Sequence, residues 1–138
     1  MTVLMRAMHS LEQAVQADIE RYGLNTTEFG TLEVLYHKGD LPIQTVCDKM
    51  LMANSSMTYV VDKLEKRHLI TRRRDLVDRR VTLIGLTEAG KTFFESIFPR
   101  HVDTLNTIFK DLTAQQQTKL ITFVKRFGHQ AKKMVDES

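Results

Sequence analysis

The sequence predicts a mostly α-helical domain of about six helices with a two-stranded β wing, and three observations predict it. Apolar residues recur with helical period along most of the chain. Met57, Val60, Val61 and Leu64, at i, i+3, i+4 and i+7, are the clearest case. The period changes once, where Leu69–Ile70 and Val81–Leu83 flank a polar, charged stretch, the pattern of two short strands joined by an exposed loop. Charge gathers at the same place. Between Lys63 and Arg80 eight Lys or Arg face three acids, a balance of +5 in a chain whose net charge is only +3. A helix with a polar outer face followed by a basic hairpin is the layout of a winged helix-turn-helix, and a focused basic strip is the footprint of phosphate contact.

A first helix is expected over residues 3 to 22. Leu4, Met8, Leu11, Val15, Ile19 and Tyr22 alternate in steps of four and three, a narrow seam suited to packing against another helix. Gly23 supplies the left-handed residue that ends it. Asn25 opens the second helix with Glu28 three residues on, so that each can cap the other's backbone donor. Phe29, Leu32, Leu35 and Tyr36 form its buried stripe, and Gly39–Asp40 stop it. Pro42 starts a third helix, where a missing N–H costs little, with Ile43, Val46, Cys47 and Met50 inward. The next helix begins near Ala53, with Asn54 or Ser55 as its expected cap. Thr87 caps a long fifth helix, Glu88 to about Lys110, with a kink expected at its interior Pro99. Thr113 and Gln116 form a second capping box. The last helix carries Leu120, Val124, Phe127, Ala131 and Met134, again in steps of four and three. Apolar seams at both chain ends argue for a dimer built from the N- and C-terminal helices.

Composition excludes several classes. With 42% hydrophobic and 27% charged residues in 138, the chain is long and apolar enough for one globular domain and is not a disordered segment. The expected division is residues 1–22 and 100–138 for dimerisation and residues 25–98 for DNA binding, within a single domain spanning residues 1–138. The N-terminal stretch has no unbroken apolar core, and no run of about 18 apolar residues follows, so neither export nor a membrane anchor is expected. One cysteine cannot form an internal disulfide, which fits a reducing cytoplasm. No Gly-rich phosphate loop, Gly-x-Ser-x-Gly elbow or His-Glu-x-x-His is present, so no enzyme and no cofactor is expected. The five histidines have no metal-ligand spacing.

Asp78–Arg79–Arg80, then Leu83, then Leu86 to Gly90 resemble the wing signature of the MarR family of bacterial repressors, and Ile43 to Ile70 resembles that family's helix-turn-helix without a gap. The resemblance extends over nearly the whole chain. Glu20 to Leu24, Tyr36 to Gly39 and Met57 to Glu65 further resemble its MhqR-type branch, which answers to quinones and hydroquinones.

Two sets of site residues follow. On the fourth helix Asn54, Ser55, Ser56, Thr58, Tyr59 and Lys63 face outward, and the hydroxyls of Ser55, Ser56, Thr58 and Tyr59 suit base edges in the major groove. Tyr59 stands where many members of the family have Arg, which removes a guanine-reading fork. Asp62 shares that side but repels phosphate and is expected to pair with a nearby Arg. The resemblance implies that Arg80 enters the minor groove while Asp78 holds it, and narrow minor grooves do attract Arg. Arg72, Arg73, Arg74 and Arg79 are expected on the sugar-phosphate backbone, positioning without specifying. The resemblance places an effector pocket between the first, second and fifth helices, with Met8, His9, Glu12, Phe29, Glu33 and Tyr36 as candidates; such a lining suits a phenolic or quinone ring. The expected partners are therefore double-stranded DNA carrying a pseudo-palindromic operator, a second copy of the chain and a small aromatic effector. A redox sensor using Cys47 and an architectural DNA-binding protein without a ligand are the alternatives.

Overall fold

The computed structural model describes residues 1–138. Six helices and three short strands follow in the order α1 (Thr2–Glu20), α2 (Thr26–Lys38), β1 (Leu41–Pro42), α3 (Ile43–Met50), α4 (Asn54–Lys66), β2 (Ile70–Arg74), β3 (Thr82–Leu86), α5 (Glu88–Ile108) and α6 (Ala114–Asp136). The chain forms two compact units, Met1–Asp103 and Thr104–Ser138. No helix is long and apolar enough to cross a membrane.

The core of the first unit is made by the stripes that the sequence marks. Phe29, Leu32 and Leu35 of α2, Val46 and Cys47 of α3, and Met57, Val60, Val61 and Leu64 of α4 are buried together, with Phe94 and Ile97 of α5 closing the cluster. From α1 only the C-terminal end takes part, through Ile19 and then Tyr22 just beyond the helix. Leu4 and Met8, from the same seam, remain exposed. In the second unit α6 buries none of its residues, and Leu120, Val124, Phe127 and Met134 are all exposed.

The helix ends follow local chemistry. Asn25 Oδ1 accepts from the Glu28 amide at 2.7 Å. The Glu28 carboxylate does not return to the Asn25 backbone as expected; it takes the Asn25 side-chain amide at 3.0 Å and a lysine described below. Thr113 and Gln116 make the full reciprocal capping box. Thr87 Oγ1 accepts from the Gly90 amide at 2.9 Å and donates to the His68 carbonyl at 2.6 Å, which fastens the start of α5 to the strand entry. A Cβ at Gly90 would collide with the Leu69 carbonyl, so only glycine allows this approach. Helix α5 runs unbroken through Pro99.

The two-stranded wing forms as β2 and β3, and a short strand that the sequence does not mark, β1, extends it to a sheet in the order β1-β3-β2, all antiparallel, with Leu41 opposite Ile84 and Pro42 opposite Leu83. Two residues are too few to leave a periodic signal, and Pro42, which lacks an N–H, suits this edge strand. Helix α4 starts from Ala53 with no side-chain cap, so neither Asn54 nor Ser55 takes that role.

Candidate nucleic-acid interface

Helix α4 buries Met57, Val60, Val61 and Leu64 and leaves Asn54, Ser55, Ser56, Thr58 and Tyr59 exposed. Thr58 Oγ1 donates to the Asn54 carbonyl at 3.0 Å, which fixes its rotamer and leaves its oxygen free to accept. The turn before α4 is closed by Leu51, which adopts the left-handed conformation at φ 55°, an uncommon choice for a residue with a branched side chain. Beyond α4, β2 and β3 pair from Ile70–Leu86 to Arg74–Thr82 and project the wing loop.

The cations of this region fall into two groups. Three are tied down. Lys63 Nζ lies 2.9 Å from Glu28 Oε1, and Glu28 is buried on α2; this hydrogen bond holds the lysine pKa above its ordinary value. Arg67 donates to the Gly23 carbonyl at 2.9 Å, approaches Glu28 at 3.9 Å, and its guanidinium covers the Phe93 ring at 5.7 Å. Arg72 reaches back to Glu65 at 3.1 Å and also to Asp62, and these hydrogen bonds raise its pKa in that order. Strand alternation explains Arg72. Ile70 points into the core, so Arg72, two residues on, faces the same side and meets the carboxylates of α4. Asp62 thus finds the Arg partner expected of it. Lys63 and Arg72 are each paired with acids of their own chain, while the Lys63 side chain stays exposed at the surface.

The other group lies on the outer wing. Arg73, on the opposite face of β2, reaches Asp40 at 3.2 Å. Asp40 in turn lies over Gly85, where any side chain would displace its carboxylate. Arg74 donates to the Arg79 carbonyl at 2.7 Å, and the Arg79 side chain is exposed. Arg80 is presented on a fork. Its Nε and Nη2 donate to the two oxygens of Asp78 at 3.1 and 3.2 Å, its backbone N–H donates to Asp78 Oδ1 at 3.1 Å, and its side chain is 91% exposed. These bonds from Arg80 hold the Asp78 carboxyl below its usual range. A bidentate pair of this kind fixes the direction of the guanidinium while leaving the rest of its donors outward.

The six candidate effector residues are not gathered around one cavity. His9 lines a hollow of about 490 Å³ with Met1, Thr2, Met5, Arg6 and Ser10. Glu12 lines another of about 460 Å³ with Leu11, Val15, Gln16 and Thr26. Met8 is exposed and Glu33 half-buried. Phe29 and Tyr36 lie instead in an aromatic cluster, their rings 5.5 and 5.0 Å from Phe94, which stacks on Phe98 at 5.2 Å. The reason is that the first half of α1 stands outside the core of the single chain, whereas α2 is packed on α5. Tyr36 Oη donates to Glu95 at 3.1 Å.

Sequence reasoning missed a buried polar centre. Asp18 of α1 accepts from Tyr22 Oη at 3.0 Å and lies 2.8 Å from His101 Nδ1 of α5, and all three are buried. The Phe29 ring lies 4.6 Å from His101. The signal available was an acid, Asp18, beside Ile19 in an apolar seam and one turn before Tyr22. Cys47 is fully buried, and burial, followed by the charge of Asp48, pushes its thiol pKa above the ordinary value. No cluster of three or more His, Cys, Asp or Glu is arranged to hold a metal ion.

Comparison with known proteins agrees with this geometry. The family model described as MarR family matches residues 24–82. The Bacillus subtilis HTH-type transcriptional regulator MhqR is 42% identical over 130 residues, which cover 94% of this chain and 90% of that protein. Among solved structures, AbsC of Streptomyces coelicolor, a MarR family transcriptional regulator, superposes with a TM-score of 0.87 at 19% identity, covering 95% of this chain and 90% of that one. BpsR of Bordetella bronchiseptica, whose DNA binding is regulated by 6-hydroxynicotinic acid, superposes with a TM-score of 0.80 at 21% identity, covering 92% and 96%. At these identities the structural likeness is one of fold.

Proposed function

The chain belongs to the MarR family of DNA-binding transcriptional repressors, and we propose that it works as a homodimer on a pseudo-palindromic operator and is released by a small aromatic, quinone-like effector. The observation that carries the DNA-reading part is the Asp78–Arg80 fork, a guanidinium aimed outward from the wing beside the exposed hydroxyl face of α4. In this reading α4 enters the major groove with Ser55, Ser56, Thr58 and Tyr59 at base edges, and Asn54 near the backbone. Arg80 enters the adjacent minor groove. Arg73, Arg74 and Arg79 meet phosphates, while Lys63 and Arg72 hold the helix and wing in place.

Dimerisation is proposed from the apolar residues left exposed at each end of the chain: Val3, Met5 and Met8 on α1, and Val124, Phe127 and Met134 on α6. Two recognition helices then match half-sites about one helical turn apart, roughly 10 base pairs. An effector acts by favouring a dimer whose helices no longer fit that spacing. An aromatic ligand is supported by the 42% identity to MhqR and by the fold shared with BpsR, whose DNA binding is regulated by 6-hydroxynicotinic acid. Cys47 is proposed to pack and not to sense, because a buried thiol with a raised pKa has little thiolate for an electrophile to meet.

The test has two arms. A thermal-shift screen of phenols, quinones and salicylate-like acids is expected to raise the melting point, since a ligand of the folded dimer stabilises it. A gel shift on a duplex selected by the protein from a randomised pool then follows release by the same compounds. Cys47→Ala is expected to release for a quinone and for a non-electrophilic phenol alike. Normal operator binding with loss of quinone release would assign sensing to the thiol. A monomer that still binds the duplex specifically would remove the dimer.

A further inference from the structure

We propose that Leu76 and Val77, at the tip of the wing, form an apolar pad that lies on the floor and sugar walls of an A·T-rich minor groove. The inference rests on the reading of the wing as DNA-facing and adds to it a means of telling base pairs apart. The two side chains are 84% and 94% exposed in the segment between β2 and β3. They are not exposed because the loop is loose. The Asp75 amide donates to the Val81 carbonyl at 3.0 Å, the Val77 amide donates to Asp75 Oδ1 at 3.2 Å, and the Val81 amide donates to the Asp78 carbonyl at 3.0 Å. Arg74 adds its bond to the Arg79 carbonyl. Within this hydrogen-bonded loop Leu76 and Val77 stand in solvent.

What surrounds the pad identifies its occupant. Arg79 and Arg80 follow within the same loop with exposed side chains. The two acids there are both engaged, Asp75 by the Val77 amide and Asp78 by Arg80. An apolar centre beside a cationic rim calls for a surface that is anionic at its edges and apolar or neutral between them. A minor groove has that arrangement, with phosphates on both rims and deoxyribose walls leading to base edges about 6 Å apart from rim to rim. Apolar side chains are known to enter it. Selectivity follows from the floor. A G·C pair projects its N2 amino group there, which an aliphatic side chain would bury without an acceptor, whereas A·T has no such donor.

The experiment uses the full chain and a duplex selected from a randomised pool, with the base pairs at the wing positions, located by footprinting, made A·T, I·C or G·C. Inosine lacks the N2 amino group, so I·C copies the A·T floor. For the wild type, A·T and I·C flanks are expected to bind alike and G·C about tenfold more weakly. The double variant Leu76→Ser, Val77→Ser is expected to lose most of this preference, keeping only the part that Arg80 draws from a narrow A·T groove. It should lose about tenfold on A·T, with the log–log salt slope unchanged because no counterion is displaced by an aliphatic group. Equal affinity of variant and wild type on A·T would overturn the proposal. So would a loss of equal size on all flanks, or a change of oligomeric state, which would make the pad a contact between proteins. Failure of the wild type to select any duplex would instead remove the DNA reading on which the pad depends. Thermal unfolding checks that the variant, altered only at exposed positions, remains folded.

Discussion

Within the basic strip of eight cations, Lys63, Arg67 and Arg72 represent the first half and Arg79 and Arg80 the second, with Arg73, paired to Asp40, between them. In the first half each cation meets a carboxylate or carbonyl on another element: Glu28 of α2, the Gly23 carbonyl, and Glu65 with Asp62 on α4. In the second half Arg79 is exposed, and Arg80 is paired only with Asp78 of its own loop, which aims it outward. The same residue types therefore serve different ends according to where the backbone points them. The anchored half fixes the angle of α4 against α2 and of β2 against α4. The presented half is left for a partner. A count of positive charge locates the interface but does not say which charges touch it.

The contrast can be broken most visibly at Arg80. Arg80→Ala is expected to weaken binding to a selected operator roughly thirtyfold, since a groove contact is lost and the Asp78 carboxylate is left facing phosphate. Its melting temperature should not change, and an unfolding scan beside a binding titration checks both. Glu28→Gln should show the opposite balance. It removes the charge that holds Lys63 and Arg67, so the melting temperature is expected to fall by a few degrees, while binding weakens only severalfold as α4 loses its support. A binding loss as large as that of Arg80→Ala, with no change in unfolding, would place Lys63 among the contacts. Arg73→Ala is expected to cost about threefold at most at low salt, the value of one screened phosphate contact.

The smallest effect concerns pH. The Asp78 carboxyl titrates below its ordinary value of 3.8 because Arg80 bonds to its charged form, and a depressed acid pKa means a pairing present above the ordinary value and lost as pH falls through the depressed one. The fork should thus be intact at every pH from 5 to 8. Carboxyl titration by NMR is expected to give a lower midpoint for Asp78 in the wild type than in Arg80→Ala. Equal midpoints would show that the fork does not form in solution.

Much of this division lay beyond the sequence, and the reason is physical. Helical stripes such as Met57, Val60, Val61 and Leu64 are written in local spacing, and so are the Thr87 and Thr113 caps and the hairpin. The Asp62–Arg72 pair was half legible, because an acid on a phosphate-facing helix needs a cation. That its partner is Arg72 follows from strand alternation starting at Ile70. Arg67 with Gly23, 44 residues apart, and Asp18 with His101, 83 residues apart, depend on how elements are stacked, and no local pattern encodes that. The effector candidates dispersed for a similar reason. Met8, His9 and Glu12 belong to the half of α1 that stands outside the core, whereas Phe29 and Tyr36 are packed with Phe94 of α5.

The central claim, that the strip holds anchored and presented cations, is tested most directly by the salt dependence of operator binding for Arg72→Ala and Arg80→Ala measured side by side. A cation that enters the DNA surface displaces condensed counterions, and its removal flattens the log–log slope by about 0.9. Arg80→Ala is expected to flatten the slope by about that amount and Arg72→Ala to leave it unchanged, with a loss of stability of about 1 kcal/mol for the latter because its partners are partly exposed. Equal flattening by both variants would contradict the account, since Arg72 would then be a DNA contact and not the brace between β2 and α4.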